Sequence, residues 1–95
     1  MTVKVIIHRK VKRGKESGFS KLLGELRRKA ISAKGYIAEE TLRSSNDYHN
    51  WMVISTWHSV GEWKNSEKNL ERKKVQAKIE NLMGRPTNIK IYQNA

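Results

Sequence analysis

The chain is expected to adopt an α+β fold, a four-stranded antiparallel sheet with helices on one face. Three observations predict it. Segments with two-residue apolar alternation and segments with three- and four-residue apolar spacing follow one another as strand, helix, strand, strand, helix, strand. The boundaries carry Gly35, Gly84 and Pro86. Ninety-five residues suffice for one small domain, so residues 1–95 are read as a single unit.

The first strand is MTVKVIIHRK, in which Val3, Val5 and Ile7 alternate with Lys4, Ile6 and His8. The basic stretch KVKRGKESG connects it to a helix. Phe19, Leu22, Leu23, Leu26 and Ala30 make that helix amphipathic, and Ile31 extends its apolar edge. Gly35 is expected to close it, because glycine accepts the left-handed conformation past a helix end. Tyr36 to Ser44 and Trp51 to His58 read as a hairpin around the turn formers Ser45, Asn46 and Asp47. Ser59 and Glu62 have capping-box spacing and start a short helix. Leu70, Val75, Ile79, Leu82 and Met83 mark a further helix, separate or continuous with the short one. Gly84 ends it, Pro86 forbids its continuation, and Ile89 to Gln93 is the last strand. This order is the split βαβ, or ferredoxin-like, arrangement.

Both strand parities carry apolar residues. In strand three, Trp51, Val53 and Trp57 oppose Met52 and Ile54; in strand two, Ile37 opposes Tyr36, Ala38 and Leu42. Helices can cover one face only, so a second copy of the sheet is the simplest cover for the other, and a homodimer is expected.

The absence of cysteine excludes disulfides and thiolate metal sites and is compatible with a cytoplasmic location. No apolar run approaches the ~20 residues of a membrane span, so no membrane association is expected. The net charge is +11, with Lys and Arg grouped at 10–15, 27–29 and 68–78. These groups fall on turns and outer helix faces, and are read first as a solvated basic surface. A nucleic-acid module ranks last, as weak and non-specific binding, because RNA-reading sheets place aromatics on the first strand and VKVIIHRK has none.

The histidines His8, His49 and His58 lack ligand spacing, so no metal site is expected. No phosphate loop, dinucleotide fingerprint or nucleophile elbow is present, and no cofactor is expected. The aromatics Trp51, Trp57, Trp63 and Tyr92 could be core or could wall a cavity for a planar ligand. Trp57 ends a strand and Trp63 lies one turn into the next helix, so a pocket between sheet and helices is expected there. It would be walled by Trp63 and Trp57 and reached by His8 or Arg72.

The chain resembles the antibiotic-biosynthesis monooxygenase family of dimeric α+β barrels over about residues 2 to 93. The likeness rests on Gly35-Tyr36-Ile37, VISTW (53–57), HSVGEW (58–63), Asn69-Leu70-Glu71-Arg72 and PTNIKIY (86–92). The family mixes cofactor-free quinone-forming oxygenases with haem-degrading enzymes. The haem branch's asparagine, tryptophan and histidine fall on Ile7, near Ser66 and near Val75, which implies little haem-degrading activity. The cofactor-free oxygenases imply a monooxygenase that oxidises a small aromatic or polyphenolic substrate with dioxygen. Trp63, Asn65, Arg72 and His8 have suitable types for that role. The resemblance casts His8 as proton-handling group and Arg72 as anion partner, with Trp57, Trp63 and Asn65 binding substrate. The alternatives are a non-enzymatic binding protein for haem or another planar ligand, and the weak nucleic-acid module.

Overall fold

A computed structural model describes residues 2–95. The elements are β1 (Val3–Lys10), α1 (Glu16–Ile31), β2 (Tyr36–Arg43), β3 (Asn50–Trp57), α2 (Val60–Lys68), α3 (Leu70–Glu80) and β4 (Asn88–Gln93). The four strands form one sheet in the order β2-β3-β1-β4, antiparallel throughout. This is the expected ferredoxin-like α+β fold.

Strand alternation decides which residues meet the helices. In β1, Val3, Val5, Ile7 and Arg9 are buried, whereas Lys4 and His8 are exposed. Their β3 partners Trp57, Ser55 and Val53 are buried on the same side. Val3, Val5, Ile7, Val53, Trp57 and Trp63 form one apolar cluster over the sheet. Val11, Phe19, Leu26, Val75, Ile79 and Met83 form a second between α1 and α3. Arg9 stands in the chain between Ile7 of the first cluster and Val11 of the second.

Four details correct or complete the expectation. First, α1 begins at Glu16, inside the stretch read as a connection, and its end is capped at Ser32 rather than Gly35. Gly35 serves the next element. Its φ is +90°, and a Cβ there would stand 2.6 Å from Glu62 Cβ, so β2 can enter against α2 only with glycine. Second, a bulge between Tyr36 and Ala38 shifts the register of β2. Tyr36 therefore opposes Trp57 and Glu39 opposes Ser55, both on the helix side, while Ala38 opposes Thr56. Tyr36 and Ala38 do not share a face as strict alternation implied. Third, of the two alternatives left open for α2 and α3 the structure takes the separate one, the helices being broken at Asn69 with ψ 128°. Fourth, Leu70 and Ile31 are exposed despite their apolar character. Leu70 opens α3, and the inward positions of that helix are Arg72, Val75 and Ile79.

The other face of the sheet has no helix on it. Ile6, Met52 and Ile54 are half-buried there, and Leu42 and Tyr92 are exposed. Lys4, His8, Lys90 and Glu40 are interleaved with them.

Candidate active site

The junction of β3 and α2 is built by local signals. Ser59 accepts from the Glu62 backbone N–H at 3.2 Å and donates to Glu62 Oε1 at 3.0 Å. This is half of a capping box, with the carboxylate holding the cap hydroxyl rather than its backbone N–H. The cap starts α2 so that Trp63 points back at the sheet, where it is 2% exposed. Its ring meets Trp57 edge-on at 5.5 Å, and Trp57 meets Tyr36 in the same manner at 5.7 Å.

Asn69 then caps α3, its side-chain oxygen accepting from the Arg72 N–H at 3.1 Å. That fixes the turn from which Arg72 runs inward. Arg72 is 6% exposed and its guanidinium lies 4.8 Å from the Trp63 ring centre. Arg9, 3% exposed, approaches from β1 and donates to Gln76 Oε1 at 3.0 Å. Among the described residues, no carboxylate lies within ion-pair distance of either guanidinium. Arg9 Nε and Trp63 Nε1 are buried without a protein partner.

Two like charges in a dry site raise each other's cost. Burial, and then Arg72, push the Arg9 pKa down to about 10, with Glu80 and Glu39 pulling the other way. Burial also lowers the Arg72 pKa, opposed by Glu67 and Glu39. Glu39 feels the converse. Burial raises its pKa, and Arg27, its Tyr36 hydrogen bond, Arg9 and Arg72 only partly offset that.

The site holds two spaces that share Arg72. Between sheet and helices is a small void of about 30 Å³, open at one side, lined by apolar side chains including Ile7, Leu26, Val53, Trp57 and Trp63, with Arg9, Arg27, Arg72 and Glu39. On the other side is an open cleft of about 370 Å³ at α2 and α3, lined by Asn65, Ser66, Asn69, Glu62, Lys34 and Arg72 among others. The inner void is too small for an aromatic ring; the cleft is within the size range of small-molecule sites.

The structure brings Trp57, Trp63 and Arg72 together. Asn65 is exposed on α2 and shares only the cleft with Arg72. His8 is not part of the group. It pairs with Met52 and Asn88 on the helix-free face, so the expectation that it reaches the inner pocket is corrected by strand alternation. His8 lines a separate open hollow of about 800 Å³ with Lys10, Arg43, Trp51 and Arg85, at the end of the sheet. Of the haem-branch positions, Ile7 lines the inner void, Ser66 the cleft, and Val75 the second apolar cluster.

Arg9 and Glu39 were missed in the sequence. The signal for Arg9 was present: it occupies the inward parity of Val3, Val5 and Ile7, where a charge is out of place. Glu39 had no such signal, because the bulge reverses its parity.

Residues 2–78 match the antibiotic biosynthesis monooxygenase family. No curated protein matches the chain. Among solved structures, a conserved protein from Methanosarcina mazei Go1 superposes with a TM-score of 0.94 at 17% identity, covering 100% of this chain and 94% of that one. SnoaB, a cofactor-independent oxygenase from Streptomyces nogalater, gives 0.89 at 11% identity, covering 99% and 93%. A Mycobacterium tuberculosis protein gives 0.90 at 14% identity, covering 100% and 96%. At these identities the likeness is one of fold.

Proposed function

The chain belongs to the antibiotic biosynthesis monooxygenase family, and from that premise we propose that it oxidises a small hydroxylated aromatic with dioxygen, without a cofactor. The observation that carries this reading is Arg72. It is a buried cation with no ion pair, stacked on Trp63 and lining a cleft of small-molecule size. An unpaired buried charge is costly, and an anionic ligand is what offsets it.

In this reading the aromatic ring lies in the cleft beside Asn65, with its phenolate oxygen on Arg72. The guanidinium favours the phenolate over the phenol, which makes the ring electron-rich. The phenolate gives one electron to dioxygen, and recombination at the para carbon forms a C–O bond. Loss of the ring proton and one oxygen atom as water leaves a quinone. The balance is one phenol and one dioxygen to one quinone and one water. The protein contributes positioning and a fixed positive field. Trp63 holds the plane of Arg72, and Trp57 backs Trp63. The open cleft lets the phenol proton leave to solvent, so His8 is not required for it.

The active unit is proposed to be a homodimer joined through the helix-free face, where Ile6, Met52, Ile54 and Leu42 would leave water. Light scattering should give twice the chain mass of 11.1 kDa; the monomer mass at micromolar concentration refutes the pairing.

The test of activity is oxygen uptake with 1-naphthol in the presence of a chelator. One dioxygen should be consumed for each 1,4-naphthoquinone formed, and Arg72→Met should lose the activity. Uptake no faster than buffer, for 1-naphthol and for other hydroxylated aromatics alike, overturns the oxygenase reading.

A further inference from the structure

We infer that the void between Arg9, Arg72 and Trp63 is the dioxygen pocket, built to bind the diatomic gas and to favour its one-electron-reduced anion. The inference rests on the oxygenase reading above and adds a second compartment to it.

Three observations carry it. The first is size. A void of about 30 Å³ exceeds the ~10–15 Å³ that a single water needs, yet it cannot take a ring. The second is the wall. Ile7, Leu23, Leu26, Val53, Trp57 and Trp63 supply most of the lining, an apolar surface that an uncharged diatomic tolerates. The third is charge. Arg9, Arg72 and Arg27 line this void and bring three positive charges against the single carboxylate of Glu39, Arg9 and Arg72 being the two that are buried. Arg9 is buried, has a free Nε–H, and makes no contact with the cleft where the aromatic ring would lie. The proposed substrate anion therefore accounts for Arg72 but not for Arg9.

Dioxygen itself gains nothing from a cation. Its reduced form does. When the phenolate gives up one electron, a neutral molecule in the void becomes a monoanion beside two guanidinium groups. The interaction exists only after the transfer, which is the differential stabilisation that raises a rate. No proton need move in that step. Arg72, lining both spaces, stands between donor and acceptor, and the reduced anion must then leave the void past it into the cleft to form the C–O bond at the para carbon. Glu39 opposes the effect, and burial limits its opposition by favouring its neutral form.

The experiment has one arm without turnover and one with it. In the first, bromide stands in for the small monoanion, followed through the Trp63 indole N–H signal. A saturable shift in the wild-type protein, lost in Arg9→Met and strengthened in Glu39→Gln, is expected. No saturable shift in the wild type, or an equal shift in Arg9→Met, overturns the assignment, and the wild-type titration stands whatever the folding of the variants. In the second arm, Arg9→Met should lower kcat for oxygen uptake by roughly 100-fold, the cost of losing one preorganised donor to a developing oxyanion. The KM for the phenol should be unchanged. An unchanged kcat, or a raised phenol KM with kcat intact, contradicts a dioxygen role. Absence of uptake in the wild type sinks the oxygenase reading instead, and the bromide arm still decides whether the void is an anion site.

Discussion

The two faces of one sheet make the instructive contrast. On the helix side, β1 and β3 bury Val5, Ile7, Val53 and Trp57, and among them Arg9 sits as deep as the valines. On the open side, Ile6, Met52 and Ile54 are half-covered, and charged residues stand freely between them. The open face is apolar where water could reach it; the closed face is charged where water cannot. Each is anomalous in its own direction, and each anomaly points to something absent from a lone chain: a second sheet on one side, an anion on the other.

The largest effect should come from breaking the closed face. Trp57→Ala removes a 1%-exposed indole that touches both Tyr36 and Trp63. A loss of about 3–5 kcal/mol in unfolding free energy is expected from denaturant titration. A loss under ~1 kcal/mol would mean that the inner cluster is loosely packed.

On the open face, Ile54→Lys should do the opposite. The chain should stay folded by circular dichroism, because Ile54 does not touch the helices. Its mass by light scattering should fall to the 11.1 kDa of one chain. A dimer that survives this change would place the interface elsewhere.

Arg9→Met sharpens the contrast further. It replaces an unpaired buried cation by an apolar side chain of similar length, at the cost of the Gln76 hydrogen bond. Removing a desolvated charge outweighs one hydrogen bond, so stability should rise by about 1 kcal/mol or more. A functional site that costs stability behaves this way. If Arg9→Met instead destabilises, Arg9 is a structural residue held by Gln76.

The smallest effect is a pH dependence. Burial raises the pKa of Glu39 above its unfolded value. Its contribution to stability is therefore full below the unfolded pKa and is lost as pH rises through the folded one. Wild type minus Glu39→Gln should show a small decline in stability over that rising window, measured by thermal melts. A difference that grows with pH would show that the three nearby arginines, not burial, govern this carboxyl.

How legible this was in the sequence depends on the kind of signal. Element order was readable because apolar period is plain in the first strand and first helix, as in Val3-Val5-Ile7 and Phe19-Leu22-Leu23-Leu26, and turn and cap residues bound the rest. The Trp57–Trp63 contact was readable because Ser59 fixes the helix start. What failed were single-residue placements. Leu70 looks like core and is exposed, since it precedes the first turn that faces inward. His8 was assigned to the pocket by residue type, against its own strand parity. Glu39 was hidden by the bulge after Tyr36, which no periodicity reveals. Arg9 was overlooked because the alternation of the first strand was followed only as far as His8, one residue before it.

The contrast between the faces reduces to where a phenolic ligand binds, and the indole and imidazole signals report it directly. Titration of 1-naphthol should move the Trp63 indole N–H saturably, with the Arg72 guanidinium signal following, while His8 on the open face stays still. Movement of His8 with Trp63 unchanged would place the ligand on the wrong side of the sheet and contradict the account.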